Sequence, residues 1–285
     1  TVTGVQTCAL PISSREAVDD GWGSLEEQPA LRTSLEPDAS RSILAWNRSP
    51  DVPFDRSINP YRGCEHGCIY CYARPSHSQL GYSPGLDFES RIVYKPDAAR
   101  RLREELARPR YRCAPIALGG NTDIYQPAER RLGITRSLLQ VLAEHRHPVY
   151  LITKSALVER DLDLLADLAK DRLVEVRVSV TTLDRHLARH LEPRATAPHR
   201  RLETIRRLSS AGVPTGVLVA PVIPVLTDHE LERILAATRE AGAGYASYIL
   251  LRLPGEVRGL FRDWLADHRP DAAEHVMNRI RETRA

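Results

Sequence analysis

Three cysteines stand close together in the run Cys64-Glu65-His66-Gly67-Cys68-Ile69-Tyr70-Cys71, spaced x3 and then x2. Thiolates are the ligands that soft iron-sulfur iron prefers, and on a loop flanked by Gly63 and Pro75 they can converge on one small inorganic centre. A cubane of four irons held by three thiolates keeps one iron open for an exogenous molecule, by the logic that gives a catalytic metal an open position. The competing use is a structural zinc site with His66 or His77 as fourth ligand. Zinc ligands usually come as C-x2-C with a second pair a dozen or more residues on, and no such pair follows.

The spacing C-x3-C-x-aromatic-C, with Tyr70 as the aromatic, closely resembles the signature of the radical S-adenosylmethionine (radical SAM) enzymes. The wider run, Asn59-Pro60-Tyr61-Arg62-Gly63-Cys64 through Cys71-Tyr72-Ala73, resembles the photolyase-like branch of that family, near spore photoproduct lyase. The resemblance implies a [4Fe-4S] cluster on Cys64, Cys68 and Cys71, with S-adenosyl-L-methionine on the open iron and Tyr70 presenting a backbone carbonyl to the adenine. It also implies an external one-electron reductant of flavodoxin or ferredoxin type. The reaction it implies is cleavage to methionine and a 5′-deoxyadenosyl radical, which takes hydrogen from an unknown substrate; a nucleic-acid lesion is one candidate. The alternative is a non-catalytic iron-sulfur or zinc module.

The chain has 285 residues, enough to bury a full core, and 40 Lys+Arg against 37 Asp+Glu give a net charge of +3. That balance is no polyanion-binding signal by itself. Only Lys95, Lys154 and Lys170 are lysines, so the arginine excess reads as base-composition bias. No apolar run is long enough to span a membrane. Five cysteines, three of them clustered, argue for the reducing cytoplasm over a disulfide framework.

The elements that must position the cysteine loop come next. Residues 1–12, with Cys8, resemble the translation of a sequencing-library adapter and are left out of the fold, and 13–47 read as an extended or disordered leader. A core domain is expected over 48–267. Apolar runs at 116–118, 149–152, 174–180, 216–220 and 246–251 read as buried strands, with a shorter extended piece at 91–95. Helical patterns occupy 97–107, 128–145, 158–170, 199–211, 228–241 and 257–267. This alternation indicates an α/β fold with a parallel sheet. With the strand leading into the cysteine loop there are six βα units, which suits the partial (β/α)6 TIM-type barrel that the resemblance implies. Residues 268–285 are expected to form a truncated C-terminal helix, making the chain a fragment.

In parallel βα architectures reactive groups sit at strand carboxyl ends. Gly119-Gly120-Asn121-Thr122-Asp123 stands where the family carries a Gly-Gly-Glu element for the amino group of S-adenosylmethionine, with Asn121 in place of the Glu. Asn121, Thr122 or Asp123 is then the ammonium partner, against a plain glycine-rich turn. By the same resemblance Lys154 and Arg194 are candidates for the methionine carboxylate, Ser179 and Thr181 for the ribose or carboxylate, and the stretch from Val219 to Val222 for adenine. Solvated or structural roles compete at each. His186 and His190, four apart on an arginine-rich helix, read as a solvated face, and Cys113 precedes its strand, remote from the active end.

Overall fold

The computed structural model describes residues 19–23, 31–48 and 54–283. Its strands are β1 (Ser34–Pro37), β2 (Leu44–Trp46), β3 (Arg56–Ile58), β4 (Tyr61–Arg62), β5 (Arg91–Tyr94), β6 (Ile116–Leu118), β7 (Val149–Thr153), β8 (Val174–Ser179), β9 (Thr215–Val222) and β10 (Tyr245–Leu250). The larger sheet has the order β10-β9-β8-β7-β6-β3-β2. Six of its strands are parallel and neighbours in chain order; β2 lies antiparallel beyond β3. The end strands do not pair with each other, so the sheet is an open, partial (β/α)6 barrel.

Alternation along each strand fixes what faces where. Val149 and Leu151 of β7 and Val174, Val176 and Val178 of β8 are buried in one cluster with Leu138, Leu142, Leu165 and Leu168 from the covering helices. Each such side chain contributes roughly 1.5–3 kcal/mol by leaving water, which holds the strands in register. Tyr150, Ile152, Glu175, Arg177 and Ser179 therefore face the opposite, concave side.

The helical patterns recur as Ala98–Leu106, Leu162–Lys170, Pro198–Ser210, Leu231–Glu240, Val257–His268 and Ala273–Glu282. The stretch expected as one helix over 128–145 is two, Glu129–Leu132 and Ile134–Glu144, because Gly133 adopts φ 61° and ends the first. Part of the expected leader is tied down. β1 pairs in parallel with β5, β2 extends the large sheet, and buried Trp22 donates its indole N–H to the Ala195 carbonyl at 2.7 Å. Residues 1–18, including the adapter-like segment and Cys8, lie outside the described residues.

β1, β5 and β4 form a second, three-stranded sheet, and β4 runs straight into the cysteine loop. The last two helices pack on each other and, through Phe261, Trp264, Val276 and Ile280, share an apolar cluster with Tyr70, Leu191 and Ile223. Among the described residues no helix is long and apolar enough to cross a membrane.

Candidate cluster and cofactor site

The cysteine loop starts at Gly63, whose φ of 82° and lack of room for a Cβ, 2.8 Å from the Phe88 carbonyl oxygen, admit only glycine. Cys64 N–H donates to that carbonyl at 2.8 Å. Gln126 accepts from Glu65 N–H at 2.9 Å and donates to the Gly63 carbonyl at 3.2 Å. Two guanidiniums fix the remainder. Arg74, 1% exposed, donates to the carbonyls of Gly67, Cys68, Pro84 and Gly85 and pairs with Glu89 at 2.5 Å. Arg194 pairs with the other Glu89 oxygen, and its Nε donates to the Glu65 carbonyl at 2.5 Å. Protein contacts thus brace the loop, which is the preorganisation a metal site needs.

Cys64 is buried, and Cys68 and Cys71 are partly so. Burial pushes all three thiols up, Cys68 to about 12, with nearby Asp123 and Glu192 adding to the effect at Cys64 and Cys68 respectively. A thiolate here needs a cation to take its charge, so the donor set fits a metal centre. Among the described residues no three His, Cys, Asp or Glu side chains gather round one ion position. Each candidate fourth zinc ligand has one ring nitrogen engaged, while His77 Nδ1 is buried with no hydrogen-bond partner among the described residues. His66 Nδ1 lies 3.4 Å from Asp123, and burial pushes its pKa down to about 4; His77 Nε2 lies 2.9 Å from the Arg91 carbonyl, its ring between Tyr82 and Phe88.

Around the loop stand the strand ends. Gly119, at φ 87°, lies so close to the Ile152 carbonyl that a Cβ would collide with it. The Gly120 carbonyl accepts from the Tyr72 hydroxyl. Asn121 is exposed, its N–H donating to Asn59 at 3.3 Å. Two expected ligand residues already have protein partners. The Thr122 hydroxyl donates to the Tyr61 carbonyl at 3.0 Å, its oxygen keeping its lone pairs, and the Arg194 guanidinium pairs with Glu89 and donates through Nε to the Glu65 carbonyl. Asp123 is likewise committed: it accepts from Tyr125 N–H, the Thr153 hydroxyl and Lys154 N–H at 2.9, 2.7 and 2.6 Å. Val219 and Val222 pack into the main core.

Lys154 is placed differently. Its Nζ lies 5.9 Å from the Tyr70 ring centroid, and among the described residues no carboxylate pairs with it at ion-pair distance. Ser179 is buried at the end of β8, its carbonyl accepting from Arg201 at 3.1 Å. Tyr70, buried, donates its hydroxyl to Glu192, which also accepts from the Thr181 hydroxyl at 2.8 Å and from Arg201. Burial alone would raise the Glu192 pKa, but the charges of Arg201 and Lys154 and the hydrogen bonds hold it down at about 2. Glu192, Arg201, Arg74 and Glu89 escaped the sequence reading. Only Arg74, three residues past the last cysteine, stood inside a recognisable motif.

Of the residues set aside, Cys113 is exposed. His186 and His190 border a shallow pocket with His268 and Trp264, where the His190 and His268 rings lie 4.8 Å apart.

A family model of the radical SAM superfamily matches residues 58–237. An uncharacterized protein of Mycobacterium tuberculosis is 40% identical over 243 residues, covering 84% of this chain and 70% of its own length. One of Methanocaldococcus jannaschii is 26% identical over 223 residues, 78% of this chain and 79% of its own. Among solved structures, spore photoproduct lyase complexed with dinucleoside spore photoproduct superposes with a TM-score of 0.61 at 19% identity, over 82% of this chain and 67% of that one. Streptococcus suis SuiB bound to S-adenosylmethionine gives 0.50 at 14%, over 75% and 48%. The fold is shared with both structures, and the family match covers the cysteine loop and most of the strand ends above. The chain is an enzyme of the radical SAM superfamily.

Proposed function

We propose that this chain holds a [4Fe-4S] cluster on Cys64, Cys68 and Cys71 and binds S-adenosyl-L-methionine beside it. The observation that carries the reading is the braced cysteine loop set beside a lysine ammonium with no ion-pair partner among the described residues. When bound, the cluster supplies the electron that cleaves S-adenosylmethionine to methionine and a 5′-deoxyadenosyl radical.

The chain's own residues bind and orient. Lys154 offers a charge-assisted contact to the methionine carboxylate. Gly119 and Gly120 let backbone approach the amino group, and exposed Asn121 stands beside them. Ser179 serves the ribose, and Tyr70, its ring held by Glu192, presents its backbone carbonyl to the adenine. The apolar cluster that encloses Tyr70 excludes water from that side. The electron comes from an external flavodoxin- or ferredoxin-type donor, in a reducing cytoplasm suited to free thiolates. For the substrate, the fold shared with spore photoproduct lyase supports a nucleic-acid lesion.

Anaerobic reconstitution with iron and sulfide, then dithionite and S-adenosylmethionine, is expected to yield 5′-deoxyadenosine, and Cys71→Ala to abolish it. A cluster-loaded protein that forms none overturns the proposal. Asn121 in the place of the family's glutamate favours one second reading, a metal-holding module that has lost S-adenosylmethionine. Calorimetric titration of the cluster-loaded protein separates the two, since the module gives no binding heat.

A further inference from the structure

Arg177 stands on β8 two residues before Ser179 and faces the concave side of the barrel. Its guanidinium carbon lies 5.6 Å from the ring centroids of both Tyr150 and Tyr245. Its Nε donates to Glu175 at 2.7 Å, and among the described residues no other carboxylate pairs with it. Glu175 thus takes one edge of the fork and the two Nη groups have no anionic partner. Two aromatic rings flank the guanidinium, and although the Tyr245 hydroxyl also lies within its hydrogen-bond reach, no second carboxylate neutralises the Nη side, a setting in which Arg favours a planar, two-oxygen acceptor.

The same wall carries a second unsatisfied group. Among the described residues the buried Tyr150 hydroxyl has no hydrogen-bond partner, and Phe54 lies edge-on to its ring at 5.8 Å. Buried polar groups are nearly always paired, so an orphan phenol calls for an explanation. The floor beneath is built rather than accidental. The Tyr245 ring lies across Gly216, where any Cβ would collide with it, and its hydroxyl donates to the Val176 carbonyl at 3.3 Å. In register, Ser179 pairs with Leu218, while Arg177 pairs with Gly216 one layer below. The open donors therefore lie just beneath the level assigned to S-adenosylmethionine.

We infer that Arg177 and the Tyr150 hydroxyl form an oxyanion-binding subsite for the substrate, which carries a carboxylate or a phosphate to this wall. The inference rests on the reading of the concave side as the reaction chamber.

The test is calorimetric titration of the cluster-reconstituted chain with phenyl phosphate and, separately, benzoate. Saturable one-to-one binding is expected, and the tighter probe assigns the source as phosphate or carboxylate. Loss of a hydrogen bond to a charged group predicts that Arg177→Gln weakens binding about tenfold or more. Tyr150→Phe removes a hydroxyl with no internal partner, so it leaves folding intact and weakens binding by a smaller factor. Absence of saturable binding by either probe overturns the inference, as does unchanged affinity in Tyr150→Phe or in folded Arg177→Gln. A protein that forms 5′-deoxyadenosine but binds neither probe rejects this inference alone. One that binds a probe but forms no 5′-deoxyadenosine rejects the cofactor reading instead.

Discussion

Glu192 is a fully buried carboxylate that collects three donors, from Tyr70, Thr181 and Arg201, while Lys154 adds charge from the open side. Removing one member of a buried pair leaves the other charge unpaired, so Glu192→Gln is expected to cost about 3–5 kcal/mol of stability. The sign of its pH dependence follows from its pKa, held at about 2 in the folded chain against an ordinary 4.5. A lowered carboxylate pKa stabilises the fold above the unfolded value and is lost as pH falls through the folded one. The gap in unfolding free energy between wild type and variant should therefore stay constant down to about pH 5 and narrow toward pH 2. Denaturant titrations at stepped pH measure it; a gap that closed near neutrality would contradict the assignment. Lys154→Ala tests the other member. Loss of one charge-assisted contact predicts about tenfold or more weaker S-adenosylmethionine binding by calorimetry, with iron content unchanged. The cysteine spacing and the lone lysine at a strand end could be singled out in sequence because residue type and local context suffice for that. Glu192 could not, because its partnership with Tyr70 spans 122 residues and only the fold brings the two together.

At the level of elements, two glycines separate a generic turn from a built contact. Gly119 and Gly133 both have positive φ, 87° and 61°, but only Gly119 is pressed against a neighbouring strand, at the Ile152 carbonyl. Gly133→Ala should cost only the backbone penalty, about 1–2 kcal/mol, with cofactor binding unchanged. Gly119→Ala adds a collision with backbone that cannot move aside unless β6 and β7 separate, so it should cost more and also weaken S-adenosylmethionine binding. Thermal melts and calorimetry on the two variants distinguish these outcomes, and equal behaviour would show that the approach to Ile152 is incidental. Five strands of the parallel sheet were legible because each is a short β-branched or largely apolar run between turn residues, whereas β3, Arg56-Ser57-Ile58, carries no such run. β1 and β2 were hidden in a polar leader, since Ser34–Pro37 becomes a strand only by pairing with β5, far along the chain. Pairing of that range is a tertiary decision that overrides local propensity.

Across the whole molecule, the last two described helices close over the Tyr70 side of the cysteine loop, while Tyr248 of β10 is 65% exposed. Among the described residues Tyr248, Ile249 and Leu250 of β10 are thus exposed, whereas the cysteine loop is enclosed on its Tyr70 side, an arrangement that would keep water and oxygen from a bound cluster. Phe261 lies in the same apolar cluster as Tyr70, with Cys68 and Ile69 packed against it, whereas Leu142 belongs to the main core on the helix side of the sheet. Phe261→Ala and Leu142→Ala should each destabilise by about 2–5 kcal/mol through the cavity they leave. Only the first opens space in the apolar cluster against which Cys68 packs. Air exposure of the reconstituted variants, followed by loss of visible absorbance, should then show faster bleaching for Phe261→Ala and a wild-type rate for Leu142→Ala at matched fraction folded. Identical rates would mean that the helical pair stabilises the barrel without shielding its centre, and that protection comes from the cysteine loop and its two guanidiniums alone.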